Sequence, residues 1–141
     1  PDPRPFLKCL DVGIDRDFTQ DPLIGFRLLN DIALRAMSTA INDPASAVQA
    51  LDSIESLLMA LVLRDLAIGL IVDDTDTPRV VFDTHDWEDF LAAGAAEIAE
   101  TPMRPMVQRR LRAMLGQVLA IAPTERRACV QRRIADLGAG R

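Results

Sequence analysis

The pattern of apolar residues indicates a long helix in the first third of the chain. Between residues 22 and 41, apolar side chains recur every three or four positions, and others widen the apolar sector over most of the circumference. A helix that is apolar nearly all round is typical of the centre of a domain, so we expect this helix to be buried. Its apolar residues are Ile24, Phe26, Leu28, Leu29, Ile32, Ala33, Leu34, Ala36, Met37 and Ala40.

Two Asp-Pro pairs mark the starts of the first two helices. Asp is a favoured N-cap because its carboxylate accepts a hydrogen bond from the first turn, and Pro suits the first helical position because it has no N–H. Asp21-Pro22 therefore begins the helix over 22–41, and Asp43-Pro44 begins a second helix that extends to about residue 63. Asn42 suits the left-handed turn between them. So short a connection predicts an antiparallel helical hairpin.

The rest of the chain adds two short strands and three more helices. Apolar and β-branched residues on both sides of the polar stretch "DDTDTP" predict a β-hairpin, and we expect Thr84 to cap the third helix and Gly138 to end the fifth. The predicted strands span 69–72 and 79–82, and the predicted helices span 85–100, 105–122 and 125–137. The predicted fold class is therefore mainly α: a helical bundle built on a long antiparallel helical hairpin, with a small β-hairpin insert.

The chain of 141 residues divides into two unequal parts. Residues 1–20 begin with three prolines in five positions and are expected to be extended or irregular, whereas residues 21–141 are expected to form one helical domain. Aromatic residues make up only 4% of the chain, which favours close-packed helices over a β-sandwich. Because the chain begins without Met, we expect it to be a fragment of a longer protein.

The charge of the chain is unevenly distributed. Residues 1–103 contain 7 Lys or Arg and 19 Asp or Glu, a charge of −12, whereas residues 104–141 contain 9 Arg and 2 acids, a charge of +7. One interpretation is attraction between the two parts, within the fold or between subunits. The other is an arginine surface that faces anionic lipid head groups, formed by Arg109, Arg110, Arg126, Arg127, Arg132 and Arg133. Nucleic acid is not an expected partner, because no aromatic residue lies among these arginines to stack on bases.

Residues with catalytic or metal-binding chemistry are sparse. The single His85 has no second His and no nucleophile at a recognisable spacing, which favours a surface or capping role. The acidic run that begins at Asp73 lacks the Gly and Glu that a calcium-binding loop needs at its sixth and twelfth positions. Cys9 and Cys129 are far apart and are expected to be reduced thiols. We therefore expect no cofactor and no metal ion, and the sequence favours a non-enzymatic role.

The candidate site is the corner between the first two helices. Asp31, Arg35, Asn42 and Asp43 offer two carboxylates, a guanidinium and an amide, which suit a cation or a polar ligand. The same residues also have ordinary structural roles. Asp31 and Arg35 are one turn apart and can form an ion pair, and Asp43 caps a helix. Both interpretations stay open at the level of sequence.

The stretch "QDPLIGFRLLNDIALRAMSTAINDPASA" also carries a family resemblance. Its QDP element, its Leu-Asn-Asp-Ile-Ala helix and its Asn-Asp-Pro corner resemble the signature of the predicted membrane-protein family called domain of unknown function 2254. The specific match covers residues 15–64, and "DWEDFL" and "VQRRLRAML" continue it more loosely. The departures are Met37 in place of Leu, Thr39-Ala40 in place of Pro-Gly, and Ser46 in place of Thr.

The resemblance implies a bacterial integral membrane protein whose spanning helices lie outside this fragment. It implies that the fragment is a soluble C-terminal domain on the cytoplasmic side of the cell membrane, and it implies no reaction, because the family has none assigned. We expect an assembly or regulatory scaffold, with the protein's own transmembrane segments and further copies of the chain as partners. The alternative is a sensory domain that binds a small ligand or ion near Asp31, Arg35, Asn42 and Asp43.

Overall fold

A computed structural model of the chain describes residues 21–139. The described residues form five α-helices and one two-stranded antiparallel sheet, which confirms the predicted fold class. The predicted extended or irregular segment 1–20 lies outside the described residues. The elements are α1 (Leu23–Met37), α2 (Pro44–Leu61), β1 (Leu70–Val72), β2 (Pro78–Val81), α3 (Trp87–Glu100), α4 (Pro105–Ile121) and α5 (Thr124–Ala139).

Asp43-Pro44 begins α2 as predicted, whereas α1 begins at Leu23, one residue later than predicted, with Pro22 in the N-cap position. The Asp21 Oδ1 atom accepts a hydrogen bond from the Leu23 N–H at 3.0 Å. The Asp43 Oδ1 atom accepts hydrogen bonds from the Ala45 and Ser46 N–H groups at 3.1 and 3.2 Å. These side chains satisfy donors that have no partner within the first turn of a helix, so local sequence is sufficient to set both helix starts.

Helix α1 ends four residues earlier than the predicted residue 41. At Ser38 the backbone leaves the helical region with a ψ of 150°, and the Ser38 Oγ atom accepts a hydrogen bond from the Ile41 N–H at 3.3 Å. The Ala36 carbonyl accepts a hydrogen bond from the Asp43 N–H at 2.7 Å. These bonds fold the chain back onto the end of α1 and shorten the helix.

The core lies where the two helices of the hairpin meet the later helices. Helix α2 packs against α1 and α4, and helix α3 packs against α1 and α5. The residues that recur at helical spacing along one side of α3 are all buried. They are Trp87, Phe90, Leu91, Gly94, Ala95 and Ile98.

Helix α1 is not buried all round, so this prediction was wrong. Phe26 and Ala33 are buried, but Leu28 and Ile32 on the opposite side are about half exposed. The reason is that only one side of α1 packs against α2 and α3. An apolar outer face is therefore left uncovered by residues 21–139.

Two predicted helix boundaries also need correction. Thr84 is not the cap of α3, because Asp86 and Asp89 form a reciprocal capping box, with hydrogen bonds of 2.9 and 3.0 Å. The Thr84 hydroxyl instead lies 3.5 Å from the Leu66 carbonyl oxygen. Gly138 does not end α5, since its φ is not positive and the helix continues to Ala139.

The β-hairpin agrees with its prediction to within one residue at each strand. Leu70 pairs with Val81, Ile71 pairs with Val80, and the register shifts between Ile71 and Val72. No third strand joins this sheet in the part of the chain that the structure describes.

Candidate functional site

The corner between α1 and α2 places Asn42 against an arginine from a distant part of the chain. Asn42 has a φ of 49°, the left-handed conformation that the sequence predicted and that Asn tolerates better than most residues. Its Oδ1 atom accepts hydrogen bonds from Arg104 Nε at 3.2 Å and from Arg104 Nη2 at 2.8 Å. Arg104 lies in the connection between α3 and α4, so the corner joins two segments that are far apart in sequence.

A cavity of about 340 Å³ opens at this junction. One wall comes from the α1–α2 corner and the other from the α3–α4 connection. Arg104 is the only charged residue among the described residues that line it, and Asn42 and Thr39 supply the other polar side chains. The remaining lining residues are Ala36, Met37, Pro44, Pro102 and Met103.

Of the four predicted site residues, only Asn42 lines this cavity. Asp31 and Arg35 are exposed on α1, and no ion pair joins them within residues 21–139, contrary to the expected pairing. Arg27 instead lies 3.5 Å from the Asp21 carboxylate. The structure therefore does not bring the predicted set of four together.

The Asp43 carboxylate is hydrogen-bonded as the N-cap of α2. Its Oδ2 atom accepts a hydrogen bond from the Ser46 hydroxyl at 2.6 Å, in addition to the two backbone bonds to Oδ1. The hydrogen bond from the Ser46 side chain, followed by that from the Ser46 backbone, lowers the pKa of the Asp43 carboxyl. A carboxylate held in this way stabilises the start of α2 and does not face the cavity.

Three of the six predicted surface arginines are used within the fold. Arg110 lies between Asp52, at 2.5 Å, and Glu55. Partial burial is the largest single influence on Arg110 and acts to lower its pKa, but the hydrogen bonds that its guanidinium donates to Glu55 and Asp52 together raise it. Arg132 donates a hydrogen bond to Glu88 at 3.2 Å. The basic C-terminal part thus attracts acidic residues of the same chain.

Arg126 is the third of these arginines and it caps α2. Its guanidinium donates hydrogen bonds to the carbonyl oxygens of Leu61, Val62 and Arg64 at 3.1, 2.7 and 2.7 Å. It also lies 5.6 Å from the centroid of the Trp87 ring, a cation–π distance. The Leu61 and Val62 carbonyls lie at the end of α2, where carbonyls lack a partner within the helix, so Arg126 has a structural role.

The other three arginines, Arg109, Arg127 and Arg133, have no hydrogen bond or ion pair to any residue in 21–139 that the structure describes. They lie on α4 and α5. A contact with anionic lipid head groups remains a proposal, and it would depend on these three rather than on all six.

Sequence reasoning missed two polar residues at helix contacts. Arg104 sits between two prolines outside any periodic pattern, so nothing local indicated its partner. Asn30 is buried and donates a hydrogen bond to Glu97 at 2.8 Å, which links α1 to α3. The signal for Asn30 was available: it lies four residues after Phe26 and three before Ala33, within the apolar stripe.

The remaining candidate groups have ordinary surroundings. The His85 Nε2 atom lies 3.5 Å from Asp21 and its Nδ1 atom lies 3.7 Å from Asp89. Cys129 is a free thiol that lies 2.9 Å from the Arg126 carbonyl oxygen, and Cys9 lies outside the described residues. Among residues 21–139, no three His, Cys, Asp or Glu side chains come together in a way that could hold a metal ion.

The known proteins that are similar to this chain are longer than it. The chain is 31% identical over 136 residues to the uncharacterized protein Mb1321c from Mycobacterium bovis and to the uncharacterized protein Rv1290c from Mycobacterium tuberculosis. The alignment covers 94% of this chain but only 26% of each relative. No solved structure matches the chain.

The family comparison covers most of the chain. None of the described helices is both long enough and apolar enough to cross a bilayer. The model of a family described as predicted membrane protein (DUF2254) matches residues 2–117, a range that includes the Asn42 corner and the β-hairpin. The chain therefore belongs to this family of predicted membrane proteins.

Proposed function

We propose that this chain is an assembly domain of a bacterial membrane protein, placed on the cytoplasmic side of the membrane, and that it docks onto the rest of that protein through its β-hairpin. The observation that carries the proposal is the exposure of apolar side chains on the hairpin. Leu70, Ile71 and Val81 are 54%, 50% and 76% exposed. Contiguous exposed apolar residues are typical of interaction surfaces.

Both faces of the hairpin are uncovered. Side chains alternate between the two faces of a strand, so the pair Leu70 and Val81 projects from one face and Ile71 from the other. A two-stranded hairpin is marginally stable by itself in water. A further strand or a helix packed on either face would bury these side chains and stabilise the hairpin.

The backbone of the hairpin also offers hydrogen bonds to a partner. The Phe82 N–H donates to the Gly69 carbonyl at 2.9 Å, which makes these two residues a hydrogen-bonded pair. Because such pairs alternate along an antiparallel ladder, the backbone groups of Leu70 and Val81 point outward, away from each other. Edges of this kind accept an additional strand from a partner.

The occupant that we propose is the remainder of the same protein. Relatives extend far beyond the matched region, since this region is only 26% of each of them. The family is one of predicted membrane proteins, so this remainder would include the membrane part. Docking of the hairpin onto it would hold the domain against the membrane part without any ligand.

Hydrogen–deuterium exchange tests this role. We expect the backbone amides of residues 68–82 to exchange at least about tenfold more slowly in the full-length parent protein than in the isolated 141-residue chain. Val81→Lys should abolish this protection, because a lysine on an edge strand opposes pairing. Leu63→Lys is the matched control, since Leu63 is 68% exposed but lies outside the hairpin.

Two results would contradict the proposal. Equal exchange of the hairpin in the full-length protein and in the isolated chain would mean that nothing docks there. Protection that grows with the concentration of the isolated chain would mean that a second copy of the chain, and not the rest of the protein, covers the hairpin.

A further inference from the structure

We propose that the cavity at the Asn42 corner binds a small oxyanion, a carboxylate or a phosphate, through the Arg104 guanidinium. This inference is independent of the assembly role, because the cavity and the β-hairpin have no residue in common. It also changes the ligand that the sequence suggested, from a cation or polar molecule held by carboxylates to an anion held by an arginine.

The orientation of the guanidinium carries the argument. Arg104 donates hydrogen bonds from its Nε and Nη2 atoms to the single Oδ1 atom of Asn42. A guanidinium has five N–H donors in a flat fork, so the edge formed by Nη1 and Nη2 still has donors to offer. That edge can bind two oxygens of a carboxylate or phosphate side by side.

The charge of Arg104 is not balanced within the described part of the fold. No carboxylate of residues 21–139 lies within ion-pair distance of it, unlike Arg110 and Arg132, which both contact acids. The nearby Asp43 is bonded to Ser46 and is not among the residues that line the cavity. Asn42 positions the guanidinium as a neutral acceptor, so the full positive charge remains for a ligand.

The other walls favour the same class of ligand. Asn42 and Thr39, which both carry hydrogen-bond donors, line the cavity together with the apolar residues Met37 and Met103. A small molecule with one anionic group and a short apolar portion fits this combination. A cation does not, because the Asn42 oxygen is already bonded to a guanidinium.

Binding here would connect two parts of the chain. Asn42 closes the α1–α2 hairpin, and Arg104 precedes α4, 62 residues later. Because the Asn42 side chain accepts two hydrogen bonds from Arg104, the guanidinium is held in this orientation only when these segments are in contact. A bound anion would therefore stabilise the contact between the helical hairpin and the later helices.

Isothermal titration calorimetry of the 141-residue chain tests the proposal, with sodium phosphate and sodium acetate as separate probes. We expect saturable binding of at least one of them. Arg104→Gln should weaken it by at least about tenfold, because hydrogen bonds to a charged group contribute that much. Asn42→Gly keeps the left-handed backbone but releases Arg104, so binding should weaken several-fold.

Arg109→Gln is the matched control, since Arg109 is a nearby exposed arginine without a partner among the described residues, and it should bind like the wild type. The comparison of phosphate with acetate distinguishes the two ligand classes. Absence of saturable binding with both probes would overturn the proposal, as would an equal loss in Arg104→Gln and Arg109→Gln. The second result would identify general attraction to positive charge.

Discussion

The helical hairpin α1–α2 and the β-hairpin β1–β2 are both chain reversals rich in apolar residues, but they differ in what covers them. Ala33 and Leu51 of the helical hairpin are fully buried, because α3 and α4 pack against it. Leu70 and Val81 of the β-hairpin are more than half exposed, since no described element packs on either strand. Apolar composition alone therefore does not determine burial; the number of neighbouring elements does.

Polar chemistry in the turn holds the β-hairpin together instead of a core. The Asp73 Oδ1 atom accepts hydrogen bonds from the Thr75 and Thr77 N–H groups at 2.9 and 3.1 Å. Its Oδ2 atom accepts one from Arg79 Nε at 2.7 Å. Asp76 has a φ of 56° within the same turn. One carboxylate thus organises the reversal, so the two hairpins should respond differently to the same kind of change.

The largest expected contrast comes from removing one large aliphatic side chain from each hairpin. Leu51→Ala should lower the free energy of unfolding by about 2–5 kcal/mol, because it removes a fully buried side chain and leaves a cavity. Ile71→Ala should change it by no more than about 0.5 kcal/mol, as expected for an exposed position. Urea denaturation of the 141-residue chain measures both, and a similar loss in the two variants would mean that the hairpin is covered.

A smaller contrast tests the close packing of the helical core. A Cβ atom at Gly94 would lie 2.9 Å from Ile54 Cγ2 and 3.2 Å from Phe26 Cδ1, whereas one at Gly116 would meet nothing within 4 Å. Gly94→Ala should cost about 1–3 kcal/mol through overpacking, offset by about 1 kcal/mol of helix propensity. Gly116→Ala should gain about 0.5–1 kcal/mol.

Thermal unfolding of these two alanine variants should therefore move the melting temperature in opposite directions. If Gly94→Ala were stabilising to the same extent as Gly116→Ala, α3 would not be held at close distance to α1 and α2. The core of the helical hairpin would then be looser than its geometry indicates, and the contrast with the β-hairpin would weaken.

Sequence patterns predicted the features that depend on near neighbours. The caps at Asp21 and Asp43, the left-handed Asn42 and the inward face of α3 follow from residues within one or two turns. Exposure of Leu28 and Ile32 could not be predicted in this way, because it depends on which later helices reach α1. The prediction that Gly138 ends α5 was wrong for a related reason. A glycine allows a helix to end at its position, but it does not force the helix to end there.

In the candidate site, too, the residue set by its near neighbours could be predicted and the residue brought in from a distance could not. Asn42 could be identified from its position in the corner, but Arg104 could not, since it lies 62 residues away and between two prolines. Asp31 and Arg35 have the spacing of an ion pair, yet spacing permits contact and does not ensure it, particularly for exposed side chains, whose pairing contributes little free energy. Contacts distant in sequence were the part that patterns did not reveal.

The smallest expected effect is a loss of order in the turn of the β-hairpin at low pH. Hydrogen bonds from the Thr75 side chain, then from the backbone of Thr75 and Thr77 and from Arg79, lower the pKa of Asp73 to about 2 from an ordinary 3.8. Because the folded turn favours the ionised carboxylate, this contribution is fully present above about pH 4 and is lost as the pH falls toward about 2. The start of α2 also loses stabilisation in acid, because the pKa of its cap Asp43 is lowered too, whereas the contacts of the buried Leu51 side chain involve no titratable group.

The Thr77 amide reports this change directly in nuclear magnetic resonance spectra recorded against pH. Its chemical shift should titrate with a midpoint near pH 2, while the amide of the buried Leu51 should not follow it. Asp73→Asn should remove the titration, and Asp74→Asn should leave it in place, because Asp74 has no hydrogen bond or ion pair to the residues described here. A titration midpoint near pH 4 would mean that the Asp73 carboxylate does not hold the turn. The shape of the exposed hairpin would then depend on the partner that docks against it.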